Sequence, residues 1–207
     1  MIRLIVFDFC GTLINDVERG YGAAMSMFDQ FRIPHITLQE YRQEFEQPYM
    51  KFYNKYMPDL TIEEQKKLYN AYVEQHEAEL FPSVSPTLRW CAEHDRKLAV
   101  LSVFDKLDLD KELERLGIID LFCRIEACGH DKRQRLAPLI RQCAVSPGET
   151  LMVGDSEHDV ETARNAGAKA AVLTWGYRPR KILEAAKPDF VWDDIAEIKT
   201  ALDRVCP

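Results

Sequence analysis

A parallel α/β sheet with a helical insertion is the fold class this sequence predicts, on three observations. Short apolar, β-branched runs recur along the chain. Amphipathic helical patterns separate the later runs, and about 90 residues without a strand signal separate the first two. Strands alternating with helices imply a sheet covered on both faces, a Rossmann-like arrangement of three layers. Ligands of such sheets sit beyond the carboxyl ends of the strands.

The elements follow in order. Residues 3–7 (RLIVF) read as the first buried strand, and similar runs stand at 97–102, 150–153, 169–173 and 189–192, with a weaker one at 122–126. Helices are expected at 84–94, 107–116, 132–143 and 157–166. The gap between the first two strands is far longer than a crossover requires. In "YRQEFEQPYMKFYNKY" the positions Phe45, Tyr49, Phe52, Tyr53 and Tyr56 fall at helical spacing, and Thr61 and Glu64 stand in capping-box relation. Residues 16–81 therefore read as a helical insertion hung from the first strand, with 1–15 and 82–207 forming the sheet domain. The aromatic stripe is most simply the insertion's own core; facing a substrate is the minority role for one or two of its members.

Composition narrows the function classes. The net charge of −7, from 27 basic and 34 acidic residues, argues against a nucleic-acid footprint, and no apolar run reaches the length that spans a bilayer. "KRQR" (132–135) and "RPRK" (178–181) are local basic exceptions, read for most of their residues as solvated helix faces. The six cysteines (10, 91, 123, 128, 143, 206) show no C-x-x-C pair and no zinc spacing, so free thiols and a cytoplasmic location are expected. Whether the chain is a monomer or a homodimer is not legible.

Acidic residues gather at the strand ends. Asp8 stands where the first strand enters a Gly11-Thr12 turn; such an aspartate serves as nucleophile, metal ligand or plain turn former. "LMVGDSEHDVETARNAG" (151–167) ends a strand at Asp155 and starts a helix. There Ser156 and Asp159 make a capping box, which accounts for Asp159 without a metal and leaves Asp155 unexplained. Two or three carboxylates converging on one point suit Mg²⁺. Ser102, ending "KLAVLS", has a hydroxyl that can donate to an anion, and Lys132, opening a helix, can neutralise one.

With these residues in this chain order, the sequence resembles the haloacid dehalogenase superfamily, in the branch that carries a helical cap after the first strand and includes the phosphoglycolate phosphatases. "DFCGT" matches the family's D-x-D-x-T except at Cys10; Ser102 matches the second motif, Lys132 loosely the third, and "GDSEHD" the fourth in full. The resemblance covers the whole chain. It implies a phosphatase of small phosphorylated metabolites in which Asp8 becomes an aspartyl-phosphate. Mg²⁺ would be held by Asp8, the carbonyl of Cys10 and Asp155, with Asp159 orienting the metal shell. Thr12, Ser102 and Lys132 would bind the transferring phosphoryl group.

Cys10 departs from the pattern at the position of the general acid/base. A thiol is a poor base for water at neutral pH, so turnover of alkyl phosphates is expected to suffer most. Three readings follow: a weakened phosphatase, a metabolite-binding protein with disabled turnover, and a Cys10 variant of an ordinary enzyme. A cysteine nucleophile is rejected, because no cysteine begins C-x₅-R. Dehalogenation is disfavoured by the intact "GDSEHD".

Overall fold

The computed structural model describes residues 1–129 and 131–203. Six parallel strands form one sheet: β1 (Leu4–Phe7), β2 (Lys97–Ser102), β3 (Arg124–Ala127), β4 (Thr150–Gly154), β5 (Lys169–Leu173) and β6 (Phe190–Trp192), in the order β3-β2-β1-β4-β5-β6. The chain builds outward from β1 on one side, then returns to β1's other edge and builds outward again. That reversal is where a crevice opens beyond the strand ends. Phe7 lies opposite Val100 of β2 and Val153 of β4, so the residues that follow these strands emerge side by side.

Strand alternation gives the sheet two cores. Ile5, Phe7, Val100 and Val153 face one way and pack with Leu88 of α5 (Val84–Glu93), Leu113 of α6 (Lys106–Arg115) and Ile198 of α10 (Glu197–Asp203). Leu4, Val6, Leu101 and Met152 face the other way, against Leu139 of α7 (Leu136–Gln142) and Val160 of α8 (Glu157–Ala166). Between β5 and β6 lies α9 (Arg180–Ala185).

Between β1 and α5 the described chain holds helices α1 (Val17–Gln30), α2 (Leu38–Glu44), α3 (Met50–Tyr56) and α4 (Ile62–Val73). They enclose a third core in which Phe28, Tyr41, Phe52 and Tyr53 are buried. The passages into and out of this segment lie together: the Asn15 amide donates to Glu79 O at 2.8 Å and the Phe81 amide to Leu13 O at 3.1 Å.

Two expectations need correction. Residues 41–56 are not one continuous helical stripe, because the chain breaks between α2 and α3 around Pro48, whose ring and missing N–H do not fit a helix interior. Lys132 does not open a helix; α7 starts only at Leu136. Pro138 explains the late start, since its ring would clash with the carbonyl of Gln134 if the helix ran further back. None of the described helices is long and apolar enough to cross a membrane. The cysteines at 10, 91, 123 and 143 are free thiols, the Cys128 sulfur donates to Ser102 O at 3.2 Å, and Cys206 lies outside the described residues.

Candidate active site

Three buried carboxylates meet at the carboxyl ends of β1 and β4. Asp8, Asp155 and Asp159 each offer an oxygen, and these oxygens all lie within 4.8 Å of one another. Sheet register brings Asp8 and Asp155 together. The start of α8 brings Asp159, whose carboxylate accepts from the Ser156 amide at 3.1 Å and the Asp155 amide at 3.2 Å. The capping relation seen in the sequence is therefore present. It does not exhaust Asp159, whose other oxygen meets the Lys132 ammonium at 2.7 Å. Lys132 also reaches Asp8 Oδ2 at 2.7 Å and is itself 1% exposed.

The charges are unbalanced: three carboxylates face one ammonium. Burial raises Asp8 to about 7, with Lys132 opposing and Asp159 assisting. Burial, then Asp8 and Asp159, push Asp155 well above the usual carboxylate range. For Asp159 burial is the largest influence and raises the pKa, but the Lys132 charge together with hydrogen bonds from Lys132 and Ser156 prevails, and its carboxyl is lowered. Burial works against the Lys132 charge, but Asp159 and Asp8 prevail and its pKa is raised. Hard oxygen donors carrying excess negative charge in a buried site fit a divalent cation such as Mg²⁺.

Glycines let the backbone close on this cluster. Gly11 has φ +65°, and a Cβ there would collide with Asp155 and Tyr177. Gly176 passes equally close to Asp155, and next to it the Tyr177 amide donates to Asp155 Oδ2 at 2.5 Å.

Cys10 lies half-buried beside Asp8, and its thiol hydrogen-bonds the Asp16 carboxylate. Burial and the Asp16 and Asp8 charges hold the thiol well above its ordinary pKa, so it stays protonated. Asp16 is fully buried; it accepts from the Gly11 amide at 2.7 Å and stands 3.7 Å from the Arg19 guanidinium.

The other expected residues are placed differently. Ser102 is buried at the end of β2, and its hydroxyl accepts from the Phe104 amide at 3.2 Å. Thr12 is buried with its hydroxyl unpartnered, away from the cavity wall. The cavity next to Asp8, Cys10 and Asp155 is instead lined by residues from the helical segment and from the loop after β5. Phe45, Tyr49 and Tyr53 face it, so the stripe is divided between core and cavity.

Sequence reasoning missed Asp16, Tyr177 and Arg178. Arg178 belongs to the run read as solvated, yet it is buried, paired with Glu157 at 2.8 Å and bonded to the backbone carbonyls of Arg42, Gln43 and Phe45. The available signal was position: "GYRPR" follows a parallel strand at its carboxyl end, where ligands bind.

The buried charges have a consequence for stability. A carboxyl whose pKa rises on folding favours the folded state fully below its unfolded value of about 3.8, and that contribution is lost as pH climbs through the folded value. Asp8, raised to about 7, and Asp155, raised in the same direction, both act this way. Without metal, the unfolding temperature is expected to fall by several degrees from about pH 5 to pH 8. Mg²⁺ is expected to restore most of the loss at the higher pH. Calorimetry with chelator and with Mg²⁺ checks this, and an equal metal effect at both pH values would contradict it.

Sheet order, switch-point crevice and acidic cluster together define a Rossmann-like α/β protein with a buried carboxylate site at its strand ends. Residues 5–173 match the family model of haloacid dehalogenase-like hydrolases, and the chain belongs to that family. A phosphoglycolate phosphatase from Synechococcus elongatus is 26% identical over 99% of this chain and 99% of that protein. The pyrophosphatase PpaX from Bacillus mycoides is 26% identical over 99% and 98%. Among solved structures, a haloacid dehalogenase-like hydrolase from Streptococcus pneumoniae superposes with TM-score 0.84 at 21% identity, covering 97% of this chain and 98% of that one.

Proposed function

We propose that the protein is a Mg²⁺-dependent phosphatase of small phosphorylated metabolites that works through an aspartyl-phosphate on Asp8. The observation that carries this reading is the meeting of Asp8, Asp155 and Asp159 with Lys132 at the ends of adjacent strands. Relatives named as a phosphoglycolate phosphatase and a pyrophosphatase support the phosphate chemistry.

In this reading Asp8, Asp155 and the backbone carbonyl of Cys10 would hold the cation, with Asp159 steadying the site beside them. The bound cation supplies charge neutralisation for the transferring oxygens. Asp8 attacks phosphorus, dividing one hard hydrolysis into two easier displacements. Lys132 neutralises charge at the phosphoryl oxygens and keeps Asp8 oriented. Ser102 supplies a hydroxyl at the neighbouring strand end. Thr12 contributes through the turn around Asp8, since its side chain lies off the cavity. Residues 16–81 act as the cap that closes the site and excludes water.

Cys10 sets the pace. A thiol held protonated donates weakly to a departing alkoxide and cannot take a proton from the water that cleaves the aspartyl-phosphate. Incubation with acetyl phosphate and Mg²⁺ tests the proposal, because acetate leaves without a proton donor. The protein is expected to gain the mass of one phosphoryl group, lost in Asp8→Asn. Neither adduct nor phosphate release would refute the reading. An adduct that persists for hours would favour a metabolite-binding protein with disabled turnover, a reading that the protonated thiol supports.

A further inference from the structure

The cavity above Asp8 has a composition that narrows the substrate, and the argument rests on the phosphatase reading. Its walls carry Tyr41, Phe45, Tyr49, Tyr53 and Tyr69 from the helical segment and Phe104 from the loop after β2. With Tyr177 they include a run of touching rings: Tyr41 and Phe45 have centroids 5.1 Å apart, and Phe45 and Tyr177 5.0 Å apart. Aromatic faces and edges arranged in this way accept another flat ring by stacking and edge contact.

The charged groups on the lining disfavour anionic leaving groups. Its two basic side chains among the described residues already have partners: Lys66 pairs with Asp105 of the same lining at 3.1 Å, and Arg178 is held by Glu157 and the carbonyls of the insertion. Glu46 and Asp108 leave the lining with a negative excess. The carboxylate of a phosphoglycolate, or the second phosphate of a pyrophosphate, would meet acids, rings and a lysine already paired with a carboxylate. That sets the cavity apart from what the names of its relatives would require.

Position 10 points the same way by a separate route. With a thiol in place of a carboxylic acid, the bond to phosphorus breaks well only when the leaving oxygen carries its own negative charge comfortably. A phenoxide, from a phenol of pKa about 10, does so far better than an alkoxide.

We propose that the substrate is an aryl phosphate, a phosphate monoester of an uncharged aromatic hydroxyl compound. An Asp8 oxygen bonds to phosphorus as the P–O(aryl) bond breaks, and the aryloxide departs with the electron pair and takes a proton from solvent. Water then attacks the aspartyl-phosphate, which returns the Asp8 carboxylate and releases inorganic phosphate. The sum is aryl phosphate plus water giving phenol plus phosphate.

A panel of four esters separates ring recognition from leaving-group chemistry. Asp8→Asn, with Mg²⁺, is titrated calorimetrically with phenyl phosphate, benzyl phosphate, ethyl phosphate and 2-phosphoglycolate. Both ring-bearing esters are expected to bind roughly 10- to 100-fold more tightly than the other two, the range for burying a ring of that size. The unsubstituted protein should show the same order in KM. Its pre-steady-state rate of phosphorylation should be about 100-fold higher for phenyl than for benzyl phosphate, since only the former leaves without an acid. Phosphoglycolate binding as tightly as phenyl phosphate, in a protein that acetyl phosphate still labels on Asp8, would overturn the aryl proposal and leave the phosphatase reading standing. Failure of acetyl phosphate to label or turn over would bring down both.

Discussion

Asp8→Asn is expected to abolish turnover while changing the stability of the fold by no more than about 1 kcal/mol. The two halves of this result come from one feature of the site. In the proposed reaction Asp8 attacks phosphorus, and loss of a nucleophile costs roughly 10⁴-fold or more in kcat. The same carboxylate is buried with Asp155 and Asp159 within reach, and burial raises its pKa to about 7. Its charged form is therefore unfavourable in the metal-free fold. An amide of the same shape removes that charge but has one acceptor oxygen for two donors, the Phe9 amide at 2.7 Å from Asp8 Oδ1 and the Lys132 ammonium at 2.7 Å from Oδ2. The relief of buried charge is therefore offset by one donor facing an NH2 group, while Lys132 keeps Asp159. Phosphate release and thermal unfolding, measured on one preparation, check both halves. Asp8→Asn that retained a tenth of the activity would remove Asp8 as the nucleophile.

Stability and catalysis oppose each other at this cluster for a physical reason. Asp159 is the cluster carboxylate whose pKa is lowered, because Lys132 and the Ser156 hydroxyl compensate its burial. Asp8 shares that lysine, and Asp155 has only the Tyr177 amide and a more distant Lys132 to oppose burial and its neighbours. The two carboxylates assigned to the proposed cation are the two that the fold itself satisfies least.

The strands were legible because parallel strands buried on both faces read as unbroken apolar runs; β2 and β5 fall on the residues the pattern marks. Helix α8 was legible for a different reason, since Ser156, Asp159 and Gly167 punctuate both its ends, Gly167 with φ +72°. Asp8 and Asp155 could be singled out because each ends a strand in a bare carboxylate. Tyr177 could not, as its closeness to Asp155 comes from pairing of β4 with β5 and from the absence of a side chain at Gly176. Asp16 was hidden in the same way: it reaches Cys10 only because the chain doubles back through Gly11. The division of the aromatic stripe between core and cavity depends on the break before α3, and helical periodicity carries no information about such a break.

Cys10→Asp is expected to raise hydrolysis of an alkyl phosphate about 100-fold, the low end of what a general acid/base contributes. The new carboxyl would stand between Asp16 and Asp8, next to the buried Asp16 whose pKa is already raised by burial. Those surroundings favour its protonated form, which is the form needed to donate to a leaving alkoxide. Once the alcohol has gone, the resulting carboxylate can draw a proton from water, so the aspartyl-phosphate expected with acetyl phosphate should become too short-lived to detect. The gain should shrink for phenyl phosphate in the first step, because the phenoxide does not need the proton, and persist in the second, because the water still does. A third carboxyl beside Asp8 and Asp16 should also lower stability, by about 1–3 kcal/mol. Rates for ethyl and phenyl phosphate before and after the substitution, with the adduct followed by mass, check each step. A parent protein already fast on ethyl phosphate and indifferent to the change would mean that another group handles the proton, and Asp16, hydrogen-bonded to the thiol, would be the carboxylate to replace next.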